Sequence, residues 1–313
     1  MRATKPATYV GRFAPSPTGP LHFGSLLAAT ASYLDARANR GRWLVRIDDI
    51  DPPREQPGAS ELIVRALERY GFEWDGDVYF QHESAEAHRH ALQQLERAGH
   101  VYPCGCSRRD LSDEPGGPLG TIYPGTCRDG TTATETALRV RTSDRTVVFD
   151  DALQGRQSMA LESASGDFVI WRRDGLVAYQ LAVVVDDALA GVTHIVRGID
   201  LMDSTPRQIW LQQLLGVATP AYAHIPVAVG LDGSKLSKLT GALGLPDDGV
   251  PIVLVAALNA LAQQPPASLE RASVREIWDW AIAHWNPARL RNQRTVAAAA
   301  GSRETTDGRS DFA

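Results

Sequence analysis

Two short strings, far apart in the chain, carry residue types that bind a nucleotide. The first is Pro20-Leu21-His22-Phe23-Gly24-Ser25, which follows an apolar run and opens a helical pattern. A helix N-terminus presents unpaired N–H groups and a positive dipole end, both suited to a phosphate. A histidine beside it can touch a phosphate chain, and a glycine lets a flat base approach the backbone. The same string also reads as an ordinary turn with Ser25 capping the helix. The second string is Ser234-Lys235-Leu236-Ser237-Lys238, between Gly233 and Gly241. Lys5, Lys235 and Lys238 are the only lysines among 32 basic residues, so arginine supplies nearly all the positive charge. Two of the three lysines in one loop mark a place for a compact charge on a long stem, able to follow phosphates as they rearrange. A solvated surface loop is the competing reading, and the arginine bias argues against it.

A third constellation is metal-like. Cys104, Cys106 and Cys127 are the chain's three cysteines and fall within one short region. An odd, clustered set reads as a metal site or as free thiols, not as a disulfide framework. Zinc takes four ligands in a tetrahedron with thiolates among its preferred donors, which leaves a fourth place for His100, Asp110 or water. Asp48, Asp49 and Asp51 form an acidic cluster that reads as a divalent-cation site. His82, His88 and His90 resemble another metal set, but His88 and His90 are two apart on a helix and point to different faces, so they read as ordinary surface residues.

The elements that position these residues alternate. Tyr9 to Arg12 reads as a strand running into the loop Ala14-Pro15-Ser16-Pro17-Thr18-Gly19-Pro20, and a helix starts near Gly24 or Ser25. Trp43 to Ile47 and Val78 to Phe80 read as strands, Glu61 to Tyr70 and Ala85 to Ala98 as helices. Strand and helix in turn predict a parallel sheet with helices on its faces. Residues 101–130 are rich in Gly and Pro, and 137–150 resemble short antiparallel strands. The alternation returns at 177–185, then at Thr193 to Val196, a helix over Thr205 to Leu215 and a strand through His224 to Val229. Residues 249–264 and 274–285 read as helices, and 297–313 as a small, polar tail.

The chain's 313 residues fit about two domains. Hydrophobic residues make up 43% and charged residues 22%, which excludes wholesale disorder. The longest nearly apolar stretch, Val250 to Ala262, contains Pro251 and Asn259 and is too short to span a bilayer. The N-terminus lacks the apolar core of a signal peptide, so a cytoplasmic protein with no membrane partner is expected. A net charge of −5 excludes a generic polyanion binder but leaves room for RNA held by a local basic face.

Together, His22-Phe23-Gly24-Ser25 and Lys235-Leu236-Ser237-Lys238 resemble the two nucleotide-binding motifs of class I aminoacyl-tRNA synthetases. The stretch Gly11-Arg12-Phe13-Ala14-Pro15-Ser16-Pro17-Thr18-Gly19 is similar to the glutamyl branch. So are Arg46-Ile47-Asp48-Asp49-Ile50-Asp51-Pro52, Tyr179 to Asp187 and Ile195-Val196-Arg197-Gly198. The resemblance covers about residues 8–265 and is nearest to the short glutamyl-queuosine paralogues of glutamyl-tRNA synthetase. A glutamyl-tRNA synthetase carries a large helical anticodon-holding domain after its core, whereas about fifty structured residues are expected here after Lys238.

The resemblance implies an α/β fold: a Rossmann-type parallel sheet of the class I kind, split by an inserted zinc-containing subdomain, with a short helical C-terminal part. The expected divisions are 1–99 and 176–245 for the two halves of the nucleotide-binding domain, 100–175 for the insertion, 246–296 for the helical part and 297–313 for the tail. The implied reaction is tRNA-independent activation of L-glutamate with ATP, then transfer of glutamate to queuosine in the anticodon of tRNA(Asp). A truncated glutamyl-tRNA synthetase and a non-catalytic RNA- or nucleotide-binding relative are the alternatives. The resemblance assigns His22, Gly24, Ser25 and Lys238 to ATP, and His22, Gly24, Lys235 and Lys238 to catalysis. It assigns Arg12, Phe13, Ala14, Pro15, Ser16, Asp48, Tyr179 and Arg197 to glutamate, with Asp48 near the α-ammonium in place of the family's usual glutamate. It adds Tyr123 as the oxygen ligand of one structural Zn²⁺ beside the three cysteines, and Mg²⁺ arriving with ATP. A monomer is expected.

Overall fold

The structure, a computed structural model, describes residues 8–229 and 244–297. The Lys235–Lys238 string and most of the expected tail therefore lie outside the described residues. The first third runs β1 (Val10–Phe13), α1 (Phe23–Ala38), β2 (Arg42–Ile47), α2 (Ala59–Arg69), β3 (Tyr79–Phe80) and α3 (Ala85–Arg97). β1 pairs with β2 and β2 with β3, all parallel, as strand–helix alternation demands.

The middle third holds β4 (Val101–Cys104), β5 (Gly116–Gly117), β6 (Gly120–Thr121), β7 (Ala137–Val140), β8 (Thr146–Asp151), β9 (Gly155–Ala160), α4 (Leu161–Ala164) and β10 (Phe168–Trp171). The strands expected over 137–150 exist and are antiparallel, but they serve different sheets. β7 sits between β4 and β10, whereas β8 pairs with β9.

The last third contains α5 (Tyr179–Leu189), β11 (His194–Gly198), α6 (Thr205–Leu215), β12 (Ala221–Ile225), β13 (Val227–Val229), α7 (Val250–Ala260), α8 (Val274–His284) and β14 (Thr295–Ala297). The apolar run at 177–185 is largely helix, with Leu181 to Asp187 all buried. β11 and β12 are parallel, and β12 bridges to β8 at Tyr222 and Asp151, so the β8–β9 hairpin extends the second half of the central sheet. β11 runs beside β1, where the Thr193 N–H donates to the Val10 carbonyl at 2.9 Å. One core joins α1, β1 and β2 to α7 and α8; a second lies among α3, α5, α6 and the middle strands.

His88 corrects the sequence reading. It is 1% exposed, because His88, Ala91, Leu92 and Leu95 form the buried stripe of α3, and its Nε2 lies 2.9 Å from Asp186. His82 and His90 are exposed, as expected.

Candidate active site

The site is built where parallel strands end. Arg12 lies near the C-terminal end of β1, Asp48 just after β2, Arg197 near the end of β11 and His224 near the end of β12. In open α/β sheets the crevice outside the carboxyl ends of the strands receives the ligand. Two loops close over this edge and are tied together: Asp48 N–H donates to the Pro15 carbonyl and Gln56 N–H to the Pro17 carbonyl, both at 2.9 Å. Ala14 and Pro15 are half-buried in this loop and Ser16 is exposed. Phe13 turns its ring into the core against Trp43, so it offers the site only backbone.

At the nucleotide end, α1 begins at Phe23 with His22, not Ser25, as its N-cap. His22 Nδ1 accepts the Ser25 N–H at 3.3 Å, which places the ring proton of a neutral imidazole on Nε2. Gly24 and Ser25 occupy the first turn, where helical N–H groups have no intrahelical acceptor.

Beneath the loops lies a buried chain of charges. Arg12 Nε donates to Asp187 at 3.2 Å, Arg46 Nη1 to the same carboxylate at 2.7 Å, and Arg46 Nε to Asp48 at 2.6 Å. Burial raises the Asp187 carboxyl, but Arg12 and Arg46 outweigh it and hold the group below its ordinary value. Asp48 ends above its own, because burial prevails over Arg46 and Arg12. The three acidic residues read as a cation site diverge: Asp48 faces Arg46, Asp49 bonds His82, and Asp51 pairs with Arg54 and Arg172. Their oxygens make no cation cage.

Arg197, 4% exposed, is arranged differently. Its Nε donates to His224 Nε2 at 3.1 Å and its Nη2 to Thr205 Oγ1 at 2.8 Å, while the buried Nη1 has no hydrogen-bond partner. Arg12 and Arg197 both lower the Tyr222 hydroxyl, which burial raises overall, so the two guanidiniums share one neighbourhood. Tyr179, half-buried, opens α5 on the same sheet edge.

The cysteines converge apart from this edge. Cys104, Cys106 and Cys127 place their sulfurs within 4.8 Å of one another, the only such convergence of His, Cys, Asp or Glu among the described residues. Cys106 and Cys127 sulfurs are 3.6 Å apart, close to the ~3.8 Å edge that a tetrahedron of ~2.3 Å Zn–S bonds requires. The Tyr123 oxygen lies 3.4 Å from Cys104 Sγ and 3.9 Å from Cys106 Sγ, which completes a four-donor set. Against burial, hydrogen bonds from Gly105 and Tyr123 bring the Cys127 thiol down to about 7. Burial and the neighbouring thiols push Cys106 up to about 11. Arg139 donates to Cys104 Sγ at 3.2 Å and stacks its guanidinium 3.8 Å from the centre of the Tyr123 ring, which sets a positive charge beside the thiols. His100 and Asp110 do not join the cluster; Asp110 caps the Ser107 N–H instead.

The family model described as tRNA synthetases class I (E and Q), catalytic domain, matches residues 9–248. The Glutamyl-Q tRNA(Asp) synthetase of Pseudomonas paraeruginosa (strain DSM 24068 / PA7) is 52% identical over 291 residues, 93% of this chain and 98% of that one. The protein of the same name from Aromatoleum aromaticum is 52% identical over 305 residues, 95% of this chain and 96% of its own. The chain belongs to the glutamyl-Q tRNA(Asp) synthetase family. Among solved structures, a glutamate-tRNA synthetase from Elizabethkingia anophelis superposes with a TM-score of 0.78 at 23% identity, over 94% of this chain and 68% of that one. A glutamate tRNA ligase from Elizabethkingia meningosepticum, in complex with its amino acid, gives 0.77 at 22% identity, over 93% and 67%. These two share the class I α/β fold with its parallel sheet.

Within that family fold, sequence reasoning gave no role to Asp187, Arg46, Asp151 or His224. A signal existed for the first two. Asp186-Asp187 closes an apolar helical run and Arg46 interrupts an apolar strand, and a charge inside an apolar pattern must find a partner. Nothing local marks Asp151 or His224.

Proposed function

We propose that this protein activates L-glutamate with ATP to glutamyl-adenylate and transfers the glutamyl group to queuosine in the anticodon of tRNA(Asp), in the cytoplasm. The observation that carries the substrate reading is the buried, unpartnered Nη1 of Arg197. An unpaired charged donor in a desolvated site is costly, and a substrate carboxylate relieves it. Arg197 and Arg12 then receive the glutamate side chain, and Tyr179 closes over it. Asp48, with Ala14 and Ser16, receives the α-ammonium; its carboxylate bonds Arg46 yet keeps lone pairs to accept further donors.

The α-carboxylate attacks the α-phosphorus of ATP and pyrophosphate leaves. His22 through its Nε2–H, Gly24 through its backbone N–H and Ser25 through its hydroxyl present donors to the phosphate chain, and Lys235 and Lys238 add charge as it rearranges. Mg²⁺ arrives with ATP. A cyclopentene hydroxyl of queuosine then attacks the acyl carbon, forming the ester and releasing AMP.

Cys104, Cys106, Cys127 and Tyr123 would hold a zinc ion, whose contribution would be structural, tying the end of β4 to the 123–127 loop. In this reading 100–175 is the insertion, 246–296 the helical part and 297–313 the tail, flanking nucleotide-binding halves 1–99 and 176–245. The test is charging of queuosine-containing and queuosine-lacking tRNA(Asp) side by side, with nuclease mapping of labelled glutamate. Label in the anticodon of the modified form alone is expected. Label at the 3′ end, or equal charging of both forms, overturns the reading in favour of a truncated glutamyl-tRNA synthetase.

A further inference from the structure

Three buried arginines serve the site, and two of them are neutralised. Arg12 and Arg46 each pair with carboxylate. Arg197 makes no ion pair among the described residues; its Nε and Nη2 meet only the neutral acceptors His224 Nε2, Thr205 Oγ1 and the Leu201 carbonyl. A carboxylate is nevertheless close by. Asp151 Oδ2 lies 2.6 Å from His224 Nδ1, so the imidazole stands between anion and guanidinium. Asp151 Oδ1 is already occupied by the Leu153, Gln154 and His224 N–H groups at 3.0, 2.9 and 3.2 Å. Donation from Nδ1 to the Asp151 carboxylate fixes the tautomer: the proton sits on Nδ1, and Nε2 offers its lone pair to Arg197.

We infer that His224, held by Asp151, is a positioning residue that aims Arg197 at the substrate side chain while leaving its charge uncancelled, and thereby selects glutamate over glutamine. The inference rests on the reading of Arg197 given above. A carboxylate in place of the imidazole would orient the guanidinium as firmly but would also neutralise it. Nη1 would then be satisfied by the carbonyl of a substrate amide as readily as by a carboxylate. With only neutral partners, the buried cation is compensated solely by an anionic ligand.

The arrangement works only with a neutral imidazole. Asp151 faces it from β8, Arg197 from β11, Asp200 from the turn after β11, Thr205 from α6, and Tyr222 from its own strand. Burial, aided by Arg197 and opposed by Asp151 and Asp200, holds His224 below the ordinary histidine value. Protonation at lower pH places a second N–H against Arg197 Nε, and the aim is lost.

The experiment measures glutamate-dependent ATP–pyrophosphate exchange of the full chain, with glutamine as competing substrate, for His224→Ala, His224→Gln and Arg197→Ala. His224→Ala is expected to raise KM for glutamate by about tenfold or more, to leave KM for ATP within about threefold, and to narrow the preference for glutamate over glutamine. His224→Gln keeps an acceptor for Arg197 and a donor for Asp151 but cannot titrate. It is expected to recover most of the KM and to lose the acid-side fall in kcat/KM expected of the wild type below about pH 6.5. An unchanged KM in a folded alanine variant overturns the inference, as does a wild-type acid limb in His224→Gln, provided that Arg197→Ala raises KM. An unchanged KM in Arg197→Ala instead overturns the reading of the glutamate pocket.

Discussion

Asp187 is the residue on which the buried charges of the site converge, since it binds Arg12 through one guanidinium face and Arg46 through another. Removing it leaves two buried cations with Asp48 alone, and an uncompensated buried charge typically costs about 3–5 kcal/mol. Asp187→Asn is therefore expected to destabilise the fold by that amount in urea unfolding and to raise KM for glutamate by displacing Arg12. Asp48→Asn is expected to cost less, because Arg46 retains Asp187 and because burial already strains the Asp48 carboxylate upward. A larger loss for Asp48→Asn would contradict this ordering. The sequence disclosed these residues as charges within apolar patterns, but not their partners. Arg12 and Asp187 are 175 positions apart, Arg46 and Asp187 141, and no local period relates such positions. The start of the helix at the His22 motif was legible because capping is local, although the cap is His22 and not Ser25.

At the scale of elements, sequence signals succeeded where the chain punctuates itself. Thr205–Leu215 is a helix at the expected bounds because Pro206 opens it and Gly216, at φ +68°, closes it in a conformation that favours glycine. The strands of 137–150 were legible as strands but not as members of two sheets, since pairing is decided by β4, β10 and β9. The cysteine cluster was legible in composition, and Arg139 beneath it was not. Its consequence can be measured: the purified protein is expected to carry about one zinc per chain, lost in Cys127→Ser together with hydrogen-exchange protection over 101–130. Metal analysis that finds no zinc, with three freely titrating thiols, would remove the clamp. α8 makes a second case. Trp278 packs against Tyr33 and Phe72 and donates its indole N–H to the Tyr70 carbonyl at 2.9 Å. Gly71 passes so close that a Cβ there would meet Val274 at 2.4 Å. Trp278→Ala is expected to cost about 3–5 kcal/mol in thermal or urea unfolding, as large-to-small changes of buried aromatics do. A cost below 1 kcal/mol would show that α8 contributes little to the core it shares with α1.

For the whole molecule, the buried ionisable groups set the pH range in which the fold is stable. Asp151, Asp167 and Asp187 are buried, yet their hydrogen-bonded partners hold them below the ordinary carboxylate value. His194 and His224 are lowered by burial. Each of these groups binds a proton more readily when unfolded than when folded, so acid favours unfolding. The histidine contribution begins to be lost as pH falls below about 6.5, and the carboxylate contribution below about 4. Asp48 has the opposite sign and offsets part of the carboxylate loss, since its folded form takes a proton more readily. On the alkaline side, burial raises Tyr70 and Tyr79 to about 12, and burial with Asp35 raises Tyr9 further. Unfolded tyrosines ionise first, so stability is lost as pH rises above about 10. Melting temperature measured from pH 3 to 11 is thus expected to show a two-stage acid limb below about 6.5 and an alkaline limb above about 10. His224→Gln should reduce the upper stage of that limb, to which His194 still contributes, while leaving the lower, carboxylate stage in place. A wild-type maximum near pH 5, or an upper stage unchanged in the variant, would mean that the buried imidazole beside Arg197 takes up a proton at least as readily in the folded state as in the unfolded.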